Sequence, residues 1–147
     1  MAIGVSLFLV AVLWLASSNA GAQSAVVPAT LGHDPFPFVT ADAKGEVRIK
    51  LAEVADGAAH FYAFLVGDAS VEFFIVMTPD GVVRTAFNAC DVCYRAKLGY
   101  RQDGAFMVCM NCGNQFSSLQ IGVAKGGCNP SPLAARLDGT DVVIAAS

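Results

Sequence analysis

Four of the five cysteines fall into two C-x2-C pairs, Cys90/Cys93 and Cys109/Cys112, with fifteen residues between the pairs. Two cysteines three apart in a tight turn aim both sulfurs at one point, and two such turns supply the four corners of a tetrahedral metal site. For the pairs to meet, the chain must double back between them. Asp103-Gly104 between apolar flanks is a hairpin signal, because both residues tolerate positive φ. With these two as the loop, Gln102 is expected opposite Ala105, Tyr100 opposite Met107, Leu98 opposite Cys109 and Arg95 opposite Cys112. Cys93 and Cys112 then end about two residues apart in register, on the order of 7 Å.

Three chemistries compete for such a cluster. An S4 site serves zinc or iron, and the soft thioethers of Met107 and Met110 beside Cys109 and Cys112 also suit Cu(I), although methionines in a hairpin otherwise serve packing. Neither common ferredoxin spacing occurs, which favours a mononuclear site over a cluster. A redox-active dithiol is the second reading and a structural disulfide the third. The odd cysteine count and the tight clustering fit structural disulfides less well. Covalent haem is excluded, since Tyr94 and Gly113 stand where C-x-x-C-H needs histidine. The fifth cysteine, Cys128, lies in Gly126-Gly127-Cys128-Asn129-Pro130, where two glycines permit unusual backbone angles and a proline fixes the exit. It is a candidate cofactor-binding residue: a further ligand, an exchange partner or a resolving thiol, with a buried structural cysteine as the plain alternative.

The rest of the chain reads as strands. Glu46 to Leu51 alternates polar and apolar, the period of a strand with one wet face. Ala59 to Val66 and Val71 to Met77 form an expected hairpin about Gly67 to Ser70, and the turn Thr78-Pro79-Asp80-Gly81 feeds a strand from Val82 to Phe87 that delivers the chain to Cys90. Downstream come Leu119 to Val123, one helical turn over Pro132 to Leu137 and a last strand over Val142 to Ile144. The expected fold class is mainly β, a small antiparallel β-sheet domain with a cysteine-knuckle hairpin of zinc-ribbon or rubredoxin type.

The first 22 residues carry no charge and are almost purely apolar from Ile3 to Ala16. The run is short for a bilayer span, which takes roughly 17 to 25 residues, and it ends in Ala20-Gly21-Ala22, so a cleaved signal peptide is favoured over an uncleaved anchor. Export, to a periplasmic or membrane-associated position, follows. Residues 23–45, with Pro28, Pro35 and Pro37, read as an extended tether, and 46–147 as one β-rich metal-binding domain. The net charge of −3 makes nucleic acid an improbable partner. Around the cysteines, by contrast, Arg95, Lys97, Arg101 and Lys125 outnumber Asp91 and Asp103, a balance that suits thiolates. The hydrolase and phosphate-loop motifs are absent, no small-molecule substrate is evident, and metal binding or electron transfer is expected ahead of catalysis. His60 opens an aromatic strand and reads as a partly buried, hydrogen-bonded histidine, with metal ligation as the sharper alternative; His33 lies in the tether.

Phe73 to Val76, Asp80-Gly81-Val82-Val83-Arg84, Cys90-Asp91-Val92-Cys93-Tyr94, Gly99-Tyr100, Met107-Val108-Cys109, Asn111-Cys112-Gly113, Phe116 and Gly126 to Pro130 together resemble the FtrD-like membrane iron–sulfur domain, over about Glu46 to Ile144. The resemblance implies iron-linked membrane redox or iron uptake, an iron or iron–sulfur cofactor, and Cys90, Cys93, Cys109, Cys112 and Cys128 as the cysteine set. It implies a membrane permease or redox protein as partner. Members of that family often carry several membrane helices, whereas this sequence offers one apolar segment, so an integral transporter role does not carry over. Zinc used as a structural staple, and thiol–disulfide exchange at the C-x2-C pairs, stand as the alternative functions.

Overall fold

The central strand of the domain is apolar on both faces, and that decides how the rest is layered. The computed structural model describes residues 36–146; the signal peptide or anchor expected over 1–22, His33 and the first part of the expected tether lie outside them. Ten strands form three small sheets, joined by single turns of 3-10 helix. The strands are β1 (Phe38–Val39), β2 (Glu46–Lys50), β3 (Ala59–Val66), β4 (Ala69–Met77), β5 (Val83–Phe87), β6 (Tyr100–Asp103), β7 (Phe106–Cys109), β8 (Gln115–Ser117), β9 (Ala135–Asp138) and β10 (Asp141–Ala145). The sheet orders are β1-β3-β4-β5, β2-β10-β9 and β6-β7-β8. All pairings are antiparallel except β1 with β3. Mainly β architecture is therefore as expected.

Successive side chains of a strand point to opposite faces, and β4 uses both. Phe73 and Ile75 pack with Val47, Ile49, Val54, Val142 and Ile144 from the β2-β10-β9 side. Phe74 and Val76 pack with Ala86, Cys90, Tyr100, Met107, Cys109 and Ile121 on the cysteine side. Two cores thus share one strand, and each apolar side chain buried there contributes roughly 1.5–3 kcal/mol. The alternation read in β2 has this cause: Val47 and Ile49 are buried, while Arg48 faces outward and pairs with Glu46 at 2.9 Å and Asp138 at 3.0 Å.

Three hairpins close with two-residue loops, and each puts glycine first: Gly67-Asp68, Gly104-Ala105 and Gly139-Thr140. The glycines have φ of 59°, 55° and 61°, whereas Lys97 is the one non-glycine with positive φ among the described residues. That is the type II′ pattern, which needs a positive φ only at the first loop position. The expected Asp103-Gly104 loop is corrected accordingly, since it would have placed Asp103 in the left-handed region at a cost that glycine avoids. The observed register sets Tyr100 opposite Cys109 and Gln102 opposite Met107. A shift of two residues keeps every side chain on its face.

Other expectations change too. Pro132 to Leu137 is no helical turn: Ala135–Asp138 pairs with β10, where ladder hydrogen bonds to Asp141–Ile144 replace those of a helix. Ser118–Gln120, at the start of the Leu119 to Val123 stretch, is a 3-10 turn. The end of the expected tether is docked, with Phe36 stacked on Phe61 at 5.0 Å and the Ala63 N–H donating to the Pro37 carbonyl.

The cysteine-bearing sheet is held to the central one through Asn88, just past β5. Its buried side chain donates to the Glu72 carboxylate at 2.9 Å and accepts the Tyr100 N–H at 2.7 Å, while its own N–H donates to the Glu72 carbonyl. Gly99 lies against this amide with φ of 62°, and a Cβ there would sit 2.3 Å from the Asn88 Nδ2. Gly99→Ala therefore combines the left-handed penalty of roughly 1–2 kcal/mol with an overpacking cost of about 1–3 kcal/mol. Gly104→Ala, with nothing within 4 Å, carries only the first. Urea midpoints at unchanged slope check this: Gly99→Ala is expected to be the clearly weaker protein of the two.

Candidate metal centre

The cysteines reach the site on two turns and a glycine-rich loop, each closed by backbone hydrogen bonds. In the first turn the Cys93 N–H donates to the Cys90 Sγ at 3.1 Å, and the chain continues through a 3-10 turn at Tyr94–Ala96 to Lys97 in the left-handed region and Gly99. In the second, β7 delivers Cys109, whose N–H donates to the Asn114 carbonyl while the Gly113 N–H returns to the Cys109 carbonyl, with Gly113 at φ 76°. The Met110 N–H donates to the Gly99 carbonyl and stitches the two turns together. Ribbon pairing stops at Tyr100, so the expected continuation opposite Leu98 and Arg95 does not form; the intervening positive-φ residues turn the chain sharply toward Cys93 instead.

The third contribution is the Gly126 to Pro130 loop. Gly126 and Gly127 both have positive φ, and the Asn129 N–H and side-chain amide donate back to the Gly126 carbonyl. The Ser131 N–H donates to the Ala89 carbonyl and the Phe87 N–H to the Ser131 carbonyl, so the loop is laced to the end of β5. The Tyr100 hydroxyl donates to the Cys128 carbonyl at 2.7 Å. Cys128 thereby stands 3.7 Å from Cys93, sulfur to sulfur.

All five cysteines are free thiols and converge in two overlapping groups, Cys90/Cys93/Cys128 and Cys93/Cys109/Cys112, each with its sulfurs within 4.8 Å of one another. The side chains expected at the site are thus gathered, and Cys128 is among them. Cys90 and Cys109 are buried, Cys93 and Cys128 partly so, and Cys112 is exposed. A thiolate donor set with metal–sulfur bonds of about 2.3 Å has tetrahedral edges of about 3.8 Å, which the Cys93–Cys128 separation matches. The residues fit a thiophilic metal. Met107 is fully buried in the core with Tyr100, whereas Met110 is exposed. His60 is hydrogen-bonded to Asp56 at 2.8 Å and stands in neither sulfur group.

Local electrostatics separates the five thiols. Burial disfavours ionisation of Cys90, but the N–H groups of Cys93 and Val92 and the Tyr100 hydroxyl outweigh it and bring its pKa down. The Asn114 N–H does the same for Cys112. Burial raises Cys109, and the adjoining Cys112 and Cys93 thiols push Cys128 up to about 12. Burial first, and then the neighbouring Cys90 thiol, raise the Tyr100 phenol well above its ordinary range. Buried between Phe74 and Phe116, Tyr100 is a site residue that the sequence reading placed opposite Met107 and counted among the family motifs without giving it a role at the sulfurs. Asn88 was missed as well. A polar residue directly after a strand and two before a cysteine was the signal available.

A family model described as membrane iron-sulfur containing protein FtrD-like matches residues 54–147, more than half of the chain. No curated protein and no solved structure matches it. No helix among the described residues is long and apolar enough to cross a membrane.

The exposed, acidified Cys112 is expected to be the first thiol alkylated by iodoacetamide in metal-free protein near pH 8, because the thiolate is the nucleophile. Cys128, protonated at that pH, and the buried Cys109 are expected to react last. Peptide mass spectrometry over a time course reads the order.

Proposed function

The chain belongs to the FtrD-like family of membrane iron-sulfur containing proteins, and on that premise we propose that it is an exported iron-binding protein that carries iron or electrons for a membrane iron-uptake or redox system. The observation that carries the reading is the gathering of all five thiols, unpaired, around Cys93. Cys90, Cys93, Cys109 and Cys112 hold the metal, with Cys128 as a further ligand, and iron supplies one-electron chemistry when bound. The protein's own part is to fix the sulfurs on rigid turns, to bias Cys90 and Cys112 toward thiolate, and to bury one side of the site against Phe74 and Tyr100. The knuckle arrangement of zinc-ribbon and rubredoxin type belongs to this proposal.

A partner, a membrane permease or redox protein, meets the site from the Cys112 side. There Val92, Tyr94, Leu98 and Met110 are exposed on the two cysteine turns, with Arg95 and Lys97 among them. The apolar N-terminal segment serves export or anchoring to a periplasmic membrane face. Thiol–disulfide exchange is a second reading, favoured by one observation, the 3.7 Å approach of Cys93 to Cys128.

Full-length protein isolated anaerobically from its own compartment is expected to contain iron, with visible thiolate-to-iron absorption. Cys90→Ser and Cys109→Ser are each expected to lose most of both. Colourless protein holding one equivalent of zinc would reduce the site to a structural staple. Metal-free protein with its cysteine pairs oxidised would favour the exchange reading.

A further inference from the structure

We propose that the five sulfurs form two metal positions sharing Cys93, one held by Cys90, Cys93 and Cys128 and the other by Cys93, Cys109 and Cys112, so that the Cys93 thiolate bridges two thiophilic divalent ions. The inference rests on the iron-binding reading and specifies how many ions the site takes and which residue joins them.

A single four-coordinate ion uses four sulfurs and leaves a fifth idle. The sulfurs are not grouped in that way. Among the described residues they form two sets of three, each spanning no more than 4.8 Å, and Cys93 is the member common to both. Two triplets sharing one sulfur use all five. A thiolate has the lone pairs to bridge two ions, and Cys93 is placed to do so, at 3.7 Å from Cys128 on one side and grouped with Cys109 and Cys112 on the other. The first position is backed by an N–H···S bond from Cys93 to the Cys90 sulfur at 3.1 Å.

Each position therefore has one buried sulfur, Cys90 or Cys109, and one nearer the surface, Cys128 or Cys112. The two half-sites are alike in construction although they come from different parts of the chain. Charge points the same way. Four thiolates around one divalent ion, with the fifth thiol protonated, leave two negative charges in a partly buried site, whereas five around two divalent ions leave one, which Lys97 on the adjoining turn is placed to offset. With three protein sulfurs per ion, each keeps a fourth position for an exchangeable ligand.

Anaerobic titration of the metal-free full chain with cobalt(II), read by thiolate-to-cobalt absorption and by elemental analysis after desalting, tests this. Two equivalents are expected, with a metal–metal vector of roughly 3–4 Å by X-ray absorption. Cys128→Ser and Cys112→Ser are each expected to keep one equivalent and lose the vector. Cys93→Ser is expected to fall below both. The surface pair keeps the test decisive even where the Cys93 variant fails to fold, because both alter half-buried or exposed positions. Saturation of the unaltered protein at one equivalent, or two equivalents retained by either surface variant, overturns the bridge. One equivalent of iron with thiolate absorption would do so while leaving the iron-binding reading in place, and failure to bind any metal would remove both.

Discussion

The site exists because a buried amide ties two sheets together at one point. Asn88 satisfies the Tyr100 N–H with its oxygen and the Glu72 carboxylate with its nitrogen, and its backbone N–H is committed to Glu72 as well. A buried amide that loses a partner costs about 1–3 kcal/mol, so this junction has little freedom to slide. Gly99 lets the chain pass close enough for the bonds to form. From that junction β6 leads into the hairpin that brings Cys109 and Cys112 back toward Cys90 and Cys93. Tyr100, fixed by its own N–H, then reaches the Cys128 carbonyl with its hydroxyl. One latch thereby sets the position of all three cysteine-bearing segments.

What lies behind the latch is β4. A strand with a single apolar face would support one layer, but Phe73/Ile75 and Phe74/Val76 divide the load between two cores. The face toward β2 and β10 is purely aliphatic and aromatic and anchors the domain. The opposite face includes Cys90 and Cys109 among its buried members, so the cysteine cluster grows out of a hydrophobic core instead of lying on top of one. Ligands embedded this way lose little side-chain entropy on binding, since packing has already fixed them.

Much of this was legible in the sequence because it depends on short-range periodicity. The alternation of Glu46 to Lys50, the aromatic runs that became β3 and β4, and the paired cysteine turns are all local patterns, and they formed where those patterns indicated. The hairpin register was off by two because Asp-Gly fits two loop placements; Gly104 has positive φ in either, and the choice turns on Asp103, which stays in the strand instead of entering the left-handed region. The helical turn expected over Pro132 to Leu137 gives way to β9 because pairing with β10 overrides the local helical propensity of Ala135-Arg136-Leu137. Asn88 and the approach of Cys128 to Cys93 are contacts between residues far apart in the chain, and no spacing rule encodes them.

The order of burial across the sulfurs has a chemical consequence. Cys90 and Cys109 sit at the base of the site, where desolvation opposes charge, and Cys112 sits at the mouth, where the Asn114 N–H favours it. Cys112 is the exposed member of the five, so it is the thiol that an incoming thiophilic ion would meet first. The deeper sulfurs would hold an ion as thiolates, Cys90 with its ionisation favoured by the Cys93 and Val92 N–H groups and Cys109 against its burial. A site arranged for permanent retention would gain by burying every ligand. This set, graded from the exposed Cys112 to the buried Cys90 and Cys109, leaves one sulfur open to solvent.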